Sequence, residues 1–189
     1  GTSSGSNSHG FYWDDNSTNI YSFNNTASGI TVNAFFTNSG VGHTYRNNTV
    51  FNSLRGFSIH RLPPNGNLSR TITFASNILY PTATNFEYWN GQLNVPTPVT
   101  IQQDMRNVFT RIDSNIYRGD FDSCFHWYYH LTYNGTYYDA SPVRLPAWKT
   151  FINSDANSVN MQADSVKRLF INPYPTDSLF NFIERGCIK

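Results

Sequence analysis

Two aromatic runs joined by a single Asn-Gly pair place the tightest constraint on how this chain can fold. Residues 125–133 read FHWYYHLTY, Asn134-Gly135 follows, and residues 136–140 read TYYDA. Asn-Gly suits the two positive-φ positions of a type I′ turn, whose twist matches that of the strands it joins. A two-residue loop pairs Tyr133 with Thr136, Thr132 with Tyr137, Leu131 with Tyr138 and His130 with Asp139. Alternation then gives a core face of Phe125, Trp127, Tyr129, Leu131, Tyr133, Tyr138 and Ala140. The opposite face carries His126, Tyr128, His130, Thr132, Tyr137, Asp139 and Ser141, a row of rings and hydrogen-bonding groups.

The remainder reads as short strands and little helix. Aromatics make up 16% of the chain, and its only glutamates are Glu87 and Glu184, so good helix formers are scarce while strand formers abound. Ile30, Val32, Ala34 and Phe36 alternate as a half-buried strand does. Thr44–Phe51, Leu54–Arg61, Leu68–Phe74 and Phe86–Trp89 read as further strands, with Pro63-Pro64-Asn65-Gly66 as a turn. One helix is expected at 100–113, where Ile101, Met105, Val108, Phe109 and Ile112 form a stripe behind a Thr100/Gln103 capping pair. A second is expected at 177–185, closed by Gly186. No repeat period is visible, which argues against a propeller or solenoid. The expected fold is mainly β with some α: a twisted antiparallel sheet or a galectin-like sandwich. It forms one domain over 10–189, behind a flexible arm or expression remnant at 1–9, in a fragment of a longer protein.

Several function classes are excluded or left unsupported. The net charge is +1 and the 13 Lys and Arg are scattered, without the basic stripe of a nucleic-acid binder. No stretch approaches the length of a membrane span, and the N-terminus lacks a signal-peptide pattern. Cys124 and Cys187 are either bridged or two buried thiols. The five sequons, at Asn16, Asn24, Asn47, Asn67 and Asn134, match chance: 24 Asn with 37 Ser and Thr among 189 residues predict 24 × 37/189, or about 5. His126 and His130 have the spacing of a helical zinc pair, but four strand steps separate them by about 13 Å, too far to share a metal. No metal and no cofactor are expected.

Two chemistries compete for the polar residues. A β-jelly-roll hydrolase needs paired acids across a cleft; Glu87 is the candidate, with Glu184, Asp113 or Asp139 as its mate. An Asp139–His130 pair lacks a nucleophile beyond Ser141 and reads better as a cross-strand hydrogen bond. Glycan binding needs flat rings for sugar C–H faces and polar groups for hydroxyls. Tyr128, His130, Tyr137 and Asp139 supply these on the hairpin face, with Arg144 and Trp148 in the next loop. The competing reading is that a helix or second sheet covers this face.

The order LTYNG, TYYDASPVR, SVNM, RLFINP and a short terminal helix, over residues 131–189, resembles the receptor-binding head of the rotavirus outer-capsid spike, its distal tryptic fragment. The resemblance implies a non-enzymatic, galectin-like head on the virion surface, joined to the rest of the spike, that attaches to host cell-surface carbohydrate. Residues 10–125 depart from that pattern, and the helix at 100–113 falls where the familiar groups have strand. A divergent rotavirus species accounts for both. None of that family's sugar-contacting residues carries over. The leading expectation is therefore a non-catalytic viral attachment domain; a carbohydrate hydrolase and a structural capsid or adhesin domain are the alternatives.

Overall fold

The computed structural model describes residues 8–61, 69–90, 98–118, 127–133, 136–138 and 144–161. Through them the chain visits three sheets in rotation. The first coil is β1 (Phe11–Trp13), β2 (Tyr21–Phe23) and β3 (Thr26–Ser28); the second is β4 (Asn33–Asn38), β5 (Thr44–Arg46) and β6 (Thr49–Phe51). The third is β7 (Arg55–Arg61), β8 (Ile72–Ala75) and β9 (Ile78–Tyr80). The fourth is β10 (Thr84–Asn90), β11 (Phe109–Asp113) and β12 (Ile116–Arg118), with α1 (Pro98–Val108) inserted after β10. The fifth has β13 (Trp127–Tyr133), β14 (Thr136–Tyr138) and β15 (Val159–Met161), with α2 (Leu145–Ile152) where the earlier coils carry their middle strand.

The strand orders are β1-β4-β7-β10-β13-β14, β11-β8-β5-β2 and β15-β12-β9-β6-β3. Every described ladder between coils is parallel. This is a parallel β-helix, a solenoid in which each coil stacks on the next. The expected antiparallel sheet or galectin-like sandwich is thus overturned, and so is the expectation that no solenoid is present. Among the described residues only β13 and β14 pair antiparallel, in the expected register of Leu131 with Tyr138, Thr132 with Tyr137 and Tyr133 with Thr136. A local turn signal identified that hairpin correctly but said nothing about how β13 joins the remaining strands.

The inside of the solenoid explains the aromatic excess. Register sets Phe11, Phe35, Phe57 and Phe86 in one row of the six-stranded sheet. Tyr45, Phe74 and Ile112 form a row of the second sheet, and Ala27, Val50, Leu79 and Tyr117 a row of the third. The three rows meet in one core, where Phe57 stacks on Phe74 at 4.8 Å and Tyr45 meets Phe57 edge-on at 4.7 Å. The third row widens along the axis from Ala to Val to Leu to Tyr. β4 is buried at all six positions, its outer side at Phe36 being packed by the His9, Tyr12 and His60 rings. That is why the half-buried alternation expected around Ala34 and Phe36 is not observed.

The corner between the second and third sheets is built the same way four times. A residue in the left-handed region, Asn24, Asn47, Ser76 or Ser114 (φ 55–58°), precedes Asn25, Asn48, Asn77 or Asn115. Asn and, at some cost, Ser tolerate this conformation. Each following Asn turns its side chain into the axis, forming a ladder. Asn48 Oδ1 accepts from the Asn25 backbone N–H (3.0 Å) and Nδ2 (3.1 Å). Asn77 Oδ1 accepts the same two donors of Asn48, and Asn115 Oδ1 those of Asn77. In the fifth coil Ser158 and Asp155 take over, Ser158 Oγ accepting from the Asn115 N–H.

The expected helix at 100–113 is half right. α1 covers 98–108, and Met105 and Val108 are buried on it as the stripe requires. From Phe109 the chain becomes β11, pairing parallel to β8. Ile112 is buried from a strand, so ladder pairing overrode a helical pattern that happens to run on. The helix expected at 177–185, and Cys124 and Cys187, lie outside the described residues. No described helix is long and apolar enough to cross a membrane.

Candidate functional site

The six-stranded sheet brings Glu87 into register with two of the hairpin candidates and with polar groups that the sequence did not single out. Its registers align Tyr12, Phe36, Ser58, Glu87 and Tyr128 in one row, and Asn38, His60, Trp89 and His130 in the next. Asp14 extends the second row, accepting from Asn38 Nδ2 at 3.1 Å. Neighbouring strands lie about 4.8 Å apart, so each row steps across the coils at that interval.

At the centre is Glu87, 5% exposed. Its Oε2 accepts from Ser58 Oγ at 2.8 Å and lies 3.3 Å from His60 Nε2, while Oε1 faces Arg55 Nε at 3.4 Å. Ser58 also contacts Asn33 Oδ1 at 2.7 Å. Burial would raise the Glu87 carboxyl, but the His60 hydrogen bond, the Arg55 charge and the Ser58 hydroxyl outweigh it and hold it at about 2. Glu87 is therefore a buried carboxylate that stays ionised. Ser58 hydrogen-bonds to the carboxylate, so the group lacks the order of a nucleophile–base–acid triad.

The depressed value has a stability consequence. A carboxyl held below its ordinary 4.5 stabilises the fold above that pH and loses the contribution as pH falls toward about 2. The difference is worth about 3 kcal/mol. Denaturant titrations at pH 7 and pH 2.5 should show this loss in the parent chain, and Glu87→Gln should remove it. An equally acid-sensitive Glu87→Gln would assign the effect to other groups.

Aromatic rings lie beside this cluster. His9, Tyr12 and Phe36 stack on one another at 4.5–5.5 Å, and Phe36 meets His60 edge-on at 4.5 Å. Burial lowers the His9 pKa, with the His60 and Arg55 charges adding to it. Tyr12 remains 48% exposed, and its hydroxyl donates to Asp14 Oδ1 at 2.7 Å. That bond, the Asp15 N–H and Asn38 hold the Asp14 carboxyl below its ordinary value.

The expected site residues fare unevenly. Tyr128 and His130 fall in register with Glu87 and Trp89, so β13 runs directly beside the strand of the hydrolase candidate. Tyr137 pairs with Thr132 in the β13/β14 hairpin, and Asp139 lies outside the described residues. Arg144 is exposed at the start of α2. Trp148 is no surface residue: it is fully buried, stacks on Phe86 at 5.4 Å and donates from Nε1 to Asp155 Oδ2 at 2.9 Å. Of the suggested mates for Glu87, Asp113 accepts from Asn157 at a corner of the fifth coil, while Glu184 and Asp139 lie outside the described residues. His9, Tyr12, Asp14, Asn38, Arg55, Ser58 and His60 were missed; only strand register could have assembled them. Among the described residues no group of three or more His, Cys, Asp or Glu could hold a metal ion. No family model, curated protein or solved structure matches this chain.

Proposed function

We propose that the chain binds carbohydrate on the outer face of its six-stranded sheet, without catalysis. The observation that carries this reading is that both described carboxyls of the face, Glu87 and Asp14, are held ionised next to the exposed, stacked Tyr12 ring. The exposed Asp14 carboxylate can accept hydrogen bonds from sugar hydroxyls, and the Tyr12 ring can receive sugar C–H groups. Buried Glu87 holds Ser58, His60 and Arg55 in place. Hydrolysis by a carboxyl pair needs one member protonated as the acid, and neither is poised for that. The rotavirus resemblance supplies the proposed setting: a virion-surface attachment domain presenting this face to host-cell glycans. The galectin-like fold belonging to that resemblance is not the fold of this chain.

A glycan array probed with the labelled chain tests the reading. Sugar-specific binding is expected, reduced about tenfold by Tyr12→Ala through loss of stacking. Binding that is undiminished in Tyr12→Ala, or absent for every glycan, overturns it. Release of reducing sugar that disappears in Glu87→Gln would transfer the face to the hydrolase reading.

A further inference from the structure

The two ends of the solenoid differ. At the fifth coil α2 stands in for a middle strand, its Leu145, Trp148 and Ile152 sunk into the core, and Asp155 N–H and Ser154 Oγ bond the Ile112 carbonyl of β11. At the first coil, among the described residues, β1, β2 and β3 each pair on one side only. Sheet edges are normally blunted by charged residues or proline. All nine residues of these strands (FYW, YSF, TAS) are uncharged, and none is proline. Tyr12, Tyr21 and Phe23, three of the four large exposed apolar residues described, belong to this coil. Tyr21 and Phe23 also stack on each other at 5.9 Å.

We propose that the first coil is a pairing edge taken by the first coil of a second copy of this chain. The edge is self-complementary under a two-fold axis through Ser22. Such an axis runs β2 antiparallel to its own copy, which sets Tyr21 of each chain opposite Phe23 of the other and makes two cross-strand aromatic pairs. Reversing the direction of travel also brings β1 of each chain to β3 of the other, and all three strands have the same length of three residues. With no charge on the strands, like meets like without repulsion. Among the described residues Asn25 ends the asparagine ladder on this side, its Oδ1 in the place where each later coil accepts from the coil before it. The pairing follows the strand-addition mode, in which main-chain bonds give affinity and side chains give register.

Sedimentation velocity over a range of concentrations tests this with the full chain. A monomer–dimer equilibrium is expected. Tyr21→Lys and Phe23→Glu each place a charge at an exposed edge position, and each should weaken the dimer at least tenfold while leaving circular dichroism and melting temperature unchanged. An equimolar mixture of the two variants should recover a dimer, because the introduced lysine then faces the introduced glutamate across one pair and leaves the other pair aromatic. A chain that stays monomeric at every concentration overturns the proposal. So does a dimer indifferent to both charges, or one that the mixture fails to restore.

Discussion

Replacing Asn77 with alanine should lower the unfolding free energy by about 3–5 kcal/mol, against about 1 kcal/mol for the same change at Asn25. Asn77 is fully buried, and its amide is used from both ends. Oδ1 accepts from the backbone N–H and Nδ2 of Asn48, and Nδ2 donates to the Tyr45 carbonyl at 3.1 Å and to Asn115 Oδ1 at 3.2 Å. Alanine leaves a buried N–H, an amide N–H and a carbonyl unmatched, each costing about 1–3 kcal/mol, less whatever the corner recovers by relaxing. Asn25 ends the ladder among the described residues and is only half-buried, so water replaces much of what it loses. Aspartate at 77 should be no rescue, since it accepts but cannot donate and adds a buried charge. Urea titrations of the two alanine variants give the comparison directly. Equal losses at 77 and 25 would mean that the ladder does not hold the corners in place.

The same ladder shows why the solenoid was hard to read in the sequence. Its signature is present as NNTA at 24–27, NNTV at 47–50, SNIL at 76–79 and SNIY at 114–117. The ladder asparagines are separated by 23, 29 and 38 residues, because the loops between strands lengthen and α1 enters the fourth coil. A search for a fixed period misses a repeat whose corners are constant and whose loops are not. Two sequons, at Asn24 and Asn47, turn out to be this corner motif followed by threonine. Local signals fared better: the Asn-Gly hairpin kept its register, and α1 lies over most of its expected span. For the site, Glu87, Tyr128 and His130 were individually legible from residue type. Their alignment in neighbouring strands was not, just as Ser58 and Glu87 are 29 residues apart in sequence and meet only through the β7/β10 register.

Trp148 is where residue type misled, and it yields the second large effect. An aromatic following a polar loop fits a sugar platform, but α2 folds it inward, where it stacks on Phe86 and Phe151. Trp148→Ala should cost about 3–5 kcal/mol from the lost packing and the cavity left behind. Trp148→Phe should cost less, because a ring remains on Phe86, yet it removes the Nε1 donor from Asp155. Burial pushes the Asp155 carboxyl above its ordinary 3.8, opposed by Ser158, Tyr117, Trp148 and Asn115. Losing one donor raises it further. A raised carboxyl costs nothing below the unfolded value and destabilises progressively as pH rises through the folded one. The cost of Trp148→Phe should therefore be larger at pH 7 than below pH 3.8, a difference that comparison with the parent chain isolates from the opposite acid dependence of Glu87. A pH-independent cost would assign the whole effect to packing. Trp148→Phe should leave glycan binding unchanged, whereas Tyr12→Ala should impair binding and leave stability nearly intact. The two substitutions thereby separate the aromatic residues that build the solenoid from those proposed to recognise a ligand.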